Sequence, residues 1–411
     1  MKLVFFFFLT SIFGYANTIE VCATCKIQKI NDATFIAKDG DTILVKKGIY
    51  YETEIQVSKA LQIIGVDNPV IDAQGKKKSV FACKGTGFTI SGFVIKNIAL
   101  SYSKEIAGIY VTKSNNFTLS NNNFINVYGA FIIQNSKYGI VSKNTIIGTA
   151  KNETKAGNGI HLYKCKNMRI EQNETNGMRD GIYLEYVERS SISNNKNNDN
   201  IRYGLHFMFS DYNEFHHNQF KNNGSGCAVM YSDHIRMHHN TFHFNWGASS
   251  YGLLLKEIND STIESNYFEK NTIGVYVNSC NRVQYKNNHL VNNGYAIKFQ
   301  GASTYNVFQF NNFLSNAMDL SYNSKLNNNT FLANHWSEYN GYDLDKNGIG
   351  DVPYRPIKLF TYLTSHTPES VVLLRSLFVD ILNFSEQVSP IFTPDKLVDT
   401  KPIMYKIDDQ Y

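Results

Sequence analysis

The chain has 411 residues and a formal net charge of +5, from 40 basic and 35 acidic residues. The basic residues form no dense run, so the composition argues against a nucleic-acid-binding protein. A length of 411 residues ordinarily indicates two or more domains, but a repetitive fold grows by stacking and makes one long unit from such a chain.

The chain begins with an apolar segment that is typical of an export signal. Lys2 precedes the apolar run 3–12, and the sequence Gly14-Tyr15-Ala16 is a small-x-small cleavage site. The run has about half the roughly 20 residues that span a bilayer, so an uncleaved membrane anchor is the weaker alternative. We therefore predict a signal peptide over residues 1–16 and an exported mature protein.

The next segment, 17–40, contains Cys22-Ala-Thr-Cys25. In an exported protein such a pair forms a disulfide, a redox centre or a metal clamp. A disulfide or a free pair is favoured, because no second CxxC completes a zinc site. Cys165 and Cys280 share a repeat position but lie five coils apart, roughly 24 Å, which is too far for a disulfide.

A repeat of about 22 residues occupies most of the chain. Its strand starts are "GIYVTK", "GAFIIQ", "GIHLYK", "GIYLEY", "GLHFMF", "GCAVMY", "GLLLKE", "GVYVNS", "YAIKFQ" and "AMDLSY". Apolar and polar residues alternate in each strand, and an Asn-x-apolar triplet closes most coils. Asparagine tolerates the left-handed backbone of a sharp corner and forms ladders between stacked coils. This pattern predicts an all-β, right-handed parallel β-helix of the pectin-lyase-like type over residues 41–336.

Alignment of the coils on the closing asparagine places two soft side chains on the outer face. Met208 and Met230 then lie on adjacent coils, about 4.8 Å apart. His206 is two residues before Met208 on the same face, and Glu185 is one coil away. Thioether sulfur beside imidazole suits copper, as Cu(I) or Cu(II), better than magnesium or calcium. The alternative is a surface that a partner covers without a metal.

A second set of histidines gives weaker copper candidates. His216 and His238 share one repeat position, and His217 and His239 share the next. The alternative interpretation is a corner at which histidines stack on one another without binding a metal.

The segment 337–360, with the sequence "NHWSEYNGYDLDKNGIGDVPY" across its start, is predicted to cap the helix. Asp343, Asp345, Asn347 and Asp351 have the spacing of a calcium loop. The glutamate expected three residues later is replaced by Tyr354. Two interpretations therefore stay open: a calcium site, or a metal-free corner rich in Asx and glycine.

The segment 361–411 is predicted to form a helical tail. Thr367 is the expected N-cap, and the apolar residues that follow have helical spacing: Val371, Leu374, Leu377, Phe378 and Ile381. Such an amphipathic helix either packs on the β-helix or docks on a membrane partner, and its place at the end of a self-sufficient solenoid favours docking.

Four segments resemble the NosD family, and the resemblance extends over nearly all of the mature chain: "GLHFMFSDYNEFHHN", "YGLLLKEINDSTIESN", "NHWSEYNGYDLDKNGIGDVPY" and "SPIFTPDKLVDTKPI". The resemblance implies a periplasmic protein, peripheral to the inner membrane, that docks on an ABC transporter of the NosF ATPase and the NosY membrane subunit. It implies receipt of copper from the chaperone NosL and delivery toward the copper centres of nitrous oxide reductase (NosZ). The protein would then be an accessory factor in denitrification and not an enzyme.

Two other functions are compatible with the fold. Outward Tyr163, Glu185, His206 and Lys256 provide an acid, a base and a charge for a carbohydrate lyase, hydrolase or epimerase. Two methionines within that groove argue against such an enzyme. A passive binding scaffold would need only the outer aromatic residues.

Overall fold

The computed structural model describes residues 16–100, 105–149, 151–323, 328–373, 376–388 and 397–408. The predicted signal peptide, apart from Ala16, lies outside these residues. None of the described helices is long and apolar enough to cross a bilayer.

Within the described residues, the strands form three parallel sheets, namely sheet A with 14 strands, sheet B with 13 and sheet C with 12. The strands of sheet A are Thr18–Val21, Thr42–Val45, Gln62–Gly65, Thr89–Ser91, Thr118–Ser120, Ile140–Ser142, Arg169–Glu171, Ser191–Ser193, Glu214–His216, Arg236–His238, Thr262–Glu264, Gln284–Lys286, Val307–Gln309 and Thr330–Leu332. Those of sheet B are Ile49–Tyr50, Val70–Asp72, Val94–Ile98, Asn123–Val127, Thr145–Ile147, Glu174–Asn176, Lys196–Asn198, Gln219–Lys221, Thr241–His243, Tyr267–Glu269, His289–Val291, Asn312–Leu314 and His335–Trp336. Those of sheet C are Ile55–Val57, Phe81–Cys83, Ile109–Thr112, Phe131–Gln134, Ile160–Tyr163, Asp180–Glu185, Tyr203–Met208, Ser225–Asp233, Tyr251–Asn259, Ile273–Asn278, Tyr295–Gln300 and Met318–Asn323. The predicted all-β parallel β-helix is therefore confirmed.

The core follows from the alternation of side chains along each strand. Leu205 and Phe207 on one coil, and Cys227 and Val229 on the next, are fully buried and paired in register. Residues of one face point inward because successive side chains of a strand point to opposite sides. Gly226 opens its coil without a side chain, because a Cβ there would lie 2.5 Å from the carbonyl oxygen of Gly252.

Buried asparagines form a hydrogen-bonded ladder through the stack. Asn218 Nδ2 donates to Ile192 O at 2.9 Å and to Asn240 Oδ1 at 3.0 Å. Its Oδ1 accepts hydrogen bonds from Asn195 N at 2.9 Å and Asn195 Nδ2 at 3.0 Å. The same arrangement links the members of one column: Asn122, Asn144, Asn173, Asn195, Asn218, Asn240, Asn266, Asn288, Asn311 and Asn334. The ladder satisfies buried polar groups that would otherwise destabilise the core.

The corners between sheets require left-handed backbone at residues that are not glycine. The corner after each sheet A strand is formed by residues such as Asn194, His217 and His239, with φ of 56°, 54° and 54°. Asparagine is common there because its short polar side chain tolerates this conformation.

The solenoid begins earlier than the predicted boundary at residue 41. Strand Thr18–Val21 pairs with Thr42–Val45 and so belongs to sheet A. A short helix, α1 (Ile30–Ile36), follows it and buries Ile30 and Ala33 against the first coils. The segment 17–40 is therefore part of the capped end of the stack.

The C-terminal region is only partly helical. Helix α2 (Leu359–His366), a 3-10 helix (Pro368–Leu373) and helix α3 (Leu377–Val388) replace the single helix predicted from Thr367. Thr367 is the C-cap of α2 and not an N-cap, because its backbone N–H donates to Leu363 O.

Residues 397–408 return to the last coil and end the asparagine ladder. The buried carboxylate of Asp399 accepts hydrogen bonds from Asn334 N at 3.0 Å, Asn334 Nδ2 at 2.9 Å and Trp336 Nε1 at 3.1 Å. This carboxylate takes the place that an asparagine of the next coil would occupy.

The ladder should carry much of the local stability. We expect Asn218→Ala to lower the free energy of unfolding by about 3 kcal/mol, because it leaves buried donors and acceptors on both neighbouring coils unpaired. Urea denaturation followed by circular dichroism measures the change. Asn115→Ala is the matched control, since Asn115 is exposed and, among the described residues, only its backbone forms hydrogen bonds. Equal effects of the two substitutions would contradict the importance of the ladder.

Candidate functional site

The predicted methionine pair lies on the outer face of sheet C. Met208 is the register partner of Met230 on the next coil and of Glu185 on the preceding coil. Both methionine side chains are half-buried, so part of each remains accessible. The structure thus brings these three predicted residues into one column, which continues to Lys256.

Tyr183 belongs to the same face and was not predicted from the sequence. Its hydroxyl donates to Glu185 Oε2 at 3.2 Å and lies 3.5 Å from Met208 Sδ. Burial, with the nearby Glu185 carboxylate, raises the pKa of Tyr183, so the phenol stays protonated and acts as a donor. The sequence feature that could have identified Tyr183 is its position on the outer face, two residues before Glu185 in the same strand.

His206 lies on this face as predicted, but it is buried and not accessible at the surface. Its side chain is 5% exposed, and its ring stacks on Tyr183 with 4.7 Å between centroids. The ring of Tyr203 also packs against the His206 ring, with 4.8 Å between centroids. A ligand that approaches from solvent would therefore meet Met208 before His206.

A buried ion pair orients the imidazole of His206. Its Nδ1 lies 3.4 Å from Asp180 Oδ2, and Arg202 Nε donates to Asp180 Oδ1 at 2.8 Å. Burial raises the pKa of Asp180, but hydrogen bonds from Arg202 and His206 outweigh it, and the pKa is lowered. The carboxylate is thus charged, and His206 donates to it through Nδ1–H.

The second ring nitrogen of His206, Nε2, is not used by this ion pair. It is buried and has no hydrogen-bond partner among the described residues. A histidine that donates one ring nitrogen to a carboxylate and keeps the other free is the usual form of a metal ligand. Sequence reasoning missed Asp180 and Arg202, although they precede the strand starts of consecutive coils.

His161 forms the other side of this aromatic stack. Its ring lies 4.8 Å from that of Tyr183, and its buried Nε2 also has no partner among the described residues. Burial lowers the pKa of His161 to about 4, so this imidazole is neutral at pH 7.

Aromatic side chains border the methionine column on one side. Tyr186, Phe209 and Tyr231 stack with successive centroid distances of 5.2 and 5.1 Å. Lys256 Nζ lies 5.1 Å from the ring centroid of Tyr231, so this ammonium group is engaged by an aromatic face.

The predicted histidine candidates lie on a different sheet. His216 and His238 stack in parallel at 4.9 Å on sheet A. The closest ring nitrogens are those of sequence neighbours, since His216 Nδ1 lies 2.9 Å from His217 Nδ1. Pairing between ring nitrogens therefore occurs within a coil and not between coils.

The calcium interpretation of the loop 343–351 is not supported. Asp343 accepts hydrogen bonds from the backbone N–H of Asn347 and Gly348, and Asp351 accepts one from Leu344 N. Asn347 Nδ2 donates to Asp345 at 2.8 Å. These carboxylates stabilise a turn, and in the described part of the chain no three or more His, Cys, Asp or Glu residues are grouped to hold a metal.

The cysteines divide into one half-buried disulfide and a set of buried thiols. Cys22 and Cys25 are disulfide-bonded at the N-terminal end. Cys165 and Cys280 are buried free thiols, as their predicted separation requires, and burial raises their pKa values to about 11 and about 12.

The predicted docking residues that the structure describes are on the surface of α3. Leu377, Phe378 and Ile381 are 74%, 58% and 57% exposed. Leu374 and the side chain of Val371 lie outside the described residues.

Comparisons with known proteins address both the fold and the family. The NosD family model, described as "Periplasmic copper-binding protein (NosD)", matches residues 148–343. The "Probable ABC transporter binding protein NosD" of Pseudomonas aeruginosa is 25% identical over 379 residues, covering 80% of this chain and 81% of that protein. The protein of the same name from Stutzerimonas stutzeri is 23% identical over 175 residues, covering 38% of this chain and only 40% of the relative.

Among solved structures, an alginate lyase, AlyF-OU02, matches with a TM-score of 0.60 at 13% identity, covering 78% of this chain and 85% of the lyase. This likeness concerns the fold alone. The family model includes the coils of both the methionine column and the histidines, and the two relatives carry the same family name. On this evidence the chain is similar to NosD proteins, over residues 148–343 by the family model and over most of its length by the Pseudomonas aeruginosa relative.

Proposed function

We propose that this protein is a periplasmic copper-handling accessory factor that docks on an ABC transporter and serves assembly of the copper centres of nitrous oxide reductase. The description of the family model supports the compartment and the metal, and the names of the relatives support the transporter. The observation that carries the proposal is the methionine column beside buried His206, whose Nε2 has no hydrogen-bond partner among the described residues.

The donors of this face suit Cu(I) as a transported ion. Thioether sulfur is a soft, uncharged ligand that selects Cu(I) over magnesium or calcium. Met208 and Met230 are one coil apart, about 4.8 Å, and two metal–sulfur bonds of roughly 2.3 Å span a similar distance. Because two neutral thioethers hold the ion weakly, the face is suited to transfer and not to storage.

The remaining groups adjust charge and position. Glu185 provides a negative charge next to Met208, and the Tyr183 hydroxyl fixes its carboxylate. Asp180 orients His206 through Nδ1 and leaves Nε2 without a partner among the described residues, so this nitrogen is a deeper ligand for an ion that first meets the methionines. In this reading NosL loads copper onto the face, and NosZ is the destination.

The tail supplies the docking surface for the transporter, here the NosF–NosY complex. Val379 is buried with Met318 and Phe360 and packs α3 on the last coil. Leu377, Ile381 and Phe384 are exposed on α3 at helical spacing. Because α3 has one packed side and one exposed apolar side, a partner can cover the second side without disturbing the solenoid.

We propose further that the protein is not an enzyme. Glu185 and Lys256 lie in one column with Met208 and Met230 between them. Three coil steps separate the two charged groups by roughly 14 Å. The two catalytic carboxyl groups of glycosidases are about 5–9.5 Å apart, so Glu185 and Lys256 are too far apart to act as such a pair.

Replacement of the methionines tests the copper site. We expect Met208→Leu/Met230→Leu to weaken Cu(I) binding at least tenfold, because leucine keeps the volume and removes the sulfur donors. Anaerobic titration of the mature protein against a Cu(I) chelator measures the affinity. Met237→Leu is the control, since Met237 is a fully buried core residue. If the double variant bound the same amount of Cu(I) with the same affinity as the wild type, the methionine column would be ruled out as a copper site.

Replacement of the exposed apolar residues of α3 tests docking. We expect Leu377→Ser/Phe378→Ser/Ile381→Ser to abolish co-purification with the transporter in detergent and to leave Cu(I) affinity unchanged. Phe35→Ser is the matched control, because Phe35 is 83% exposed on α1 at the other end of the solenoid. Retention of the complex by the triple variant would show that the tail is not the docking surface.

A further inference from the structure

Four histidines form a regular cluster on sheet A and its following corner, which we term the histidine quartet: His216, His217, His238 and His239. The rings of His217 and His239 stack at 4.9 Å with 2° between their planes, as do those of His216 and His238. Within each coil the two rings are nearly perpendicular, at 87° and 88°. The quartet is thus two identical histidine pairs, one on each coil.

Each pair directs two ring nitrogens at one another. The Nδ1 atoms of His216 and His217 are 2.9 Å apart, and those of His238 and His239 are also 2.9 Å apart. At this distance one nitrogen carries a proton and the other accepts it through its lone pair. Each pair therefore holds one proton between two imidazole nitrogens.

A carboxylate fixes the orientation of one imidazole in the quartet. His238 Nε2 lies 3.0 Å from Glu214 Oε1, so this nitrogen donates to the carboxylate and Nδ1 faces His239. A carboxylate that accepts the second ring N–H is typical of a metal-binding histidine.

The pairs are open to solvent on one side. His217 and His239 are exposed, whereas His216 and His238 are half-buried. A groove of about 630 Å³ begins at His217 and His239 and continues past Tyr267 to Ile407 of the C-terminal segment. An ion can therefore reach the Nδ1 atoms without entering the core.

We propose that each pair of the quartet binds Cu(I) between its two Nδ1 atoms, as a copper site separate from the methionine column. The ion replaces the shared proton, which moves to Nε2 of the same ring, so two neutral imidazoles donate one lone pair each and no redox step occurs. Metal–nitrogen bonds of about 2 Å require the Nδ1 atoms to part by roughly 1 Å, which the exposed rings of His217 and His239 permit. This inference rests on the proposed copper handling.

Two donors are sufficient for Cu(I), so the site differs from a zinc-type centre with three or four protein ligands. The preceding coil has Ser193 at the His216 position and Asn194 at the His217 position, and the coil after the quartet has Glu264 and Ser265 there. Histidine is thus not required by the fold at either position. Its appearance in both positions on two consecutive coils is what a metal-binding function would add.

The experiment uses the mature protein and asparagine substitutions that the fold already accommodates. His217→Asn/His239→Asn is introduced into the wild type and into the Met208→Leu/Met230→Leu background. His234→Asn is the matched control, because His234 is also an exposed corner histidine, with φ of 56°, and stacks on Tyr212 instead of a second histidine. The measurements are anaerobic Cu(I) titration against a chelator and X-ray absorption spectroscopy, with thermal melting as a check of folding.

We expect the Met208→Leu/Met230→Leu variant to retain Cu(I) bound by two imidazole nitrogens. Adding His217→Asn/His239→Asn to this variant should reduce the affinity for that copper at least tenfold. His234→Asn should change neither quantity. The quartet site would be overturned if the Met208→Leu/Met230→Leu variant bound no copper through nitrogen. It would also be overturned if nitrogen-bound copper remained after the asparagine substitutions. If Met208→Leu/Met230→Leu instead bound copper fully and His217→Asn/His239→Asn lost copper binding, the methionine column would be rejected as a copper site and the quartet would be retained.

Discussion

Hydrogen bonding between asparagines on successive coils is the interaction on which the rest of the structure depends. Each buried side chain both donates to and accepts from its neighbours, as Asn218 does with Asn195 and Asn240, so a coil cannot slip without breaking several bonds. A slip by one residue would turn every inward side chain of a strand outward. The ladder therefore fixes which outer residues lie above one another, and the column of Met208 and Met230 is a consequence of that register.

The periodic part of this structure could be predicted from the sequence. Alternation within strands and the closing asparagine specify which columns face inward, and Leu205 and Phe207 are buried accordingly. The same counting places Met208 beside Met230 and keeps Cys165 far from Cys280. These inferences succeed because a solenoid turns sequence spacing directly into distance.

Features that depend on residues outside the period could not be predicted. Asp180 is the first residue of its strand and Arg202 directly precedes the next sheet C strand, and only the folded coil shows that their ion pair orients a buried His206. Asp399 completes the ladder at Asn334 from 65 residues away, in a segment that belongs to no repeat. The loop 343–351 was ambiguous because calcium loops and Asx-rich turns use the same residue types, and the choice depends on where the carboxylates point.

The two proposed copper sites lie on the same two coils but on different sheets. Met208 and Met230 belong to sheet C, whereas His216 and His238 belong to sheet A. The space between the sheets is filled by buried apolar side chains such as Phe207 and Phe215, whose ring centroids are 5.1 Å apart. These side chains offer an ion no ligands. Copper therefore cannot pass from one site to the other through the core. Two faces with different donors allow one partner to contact the thioethers while another contacts the imidazoles, so loading and release need not compete for a single surface.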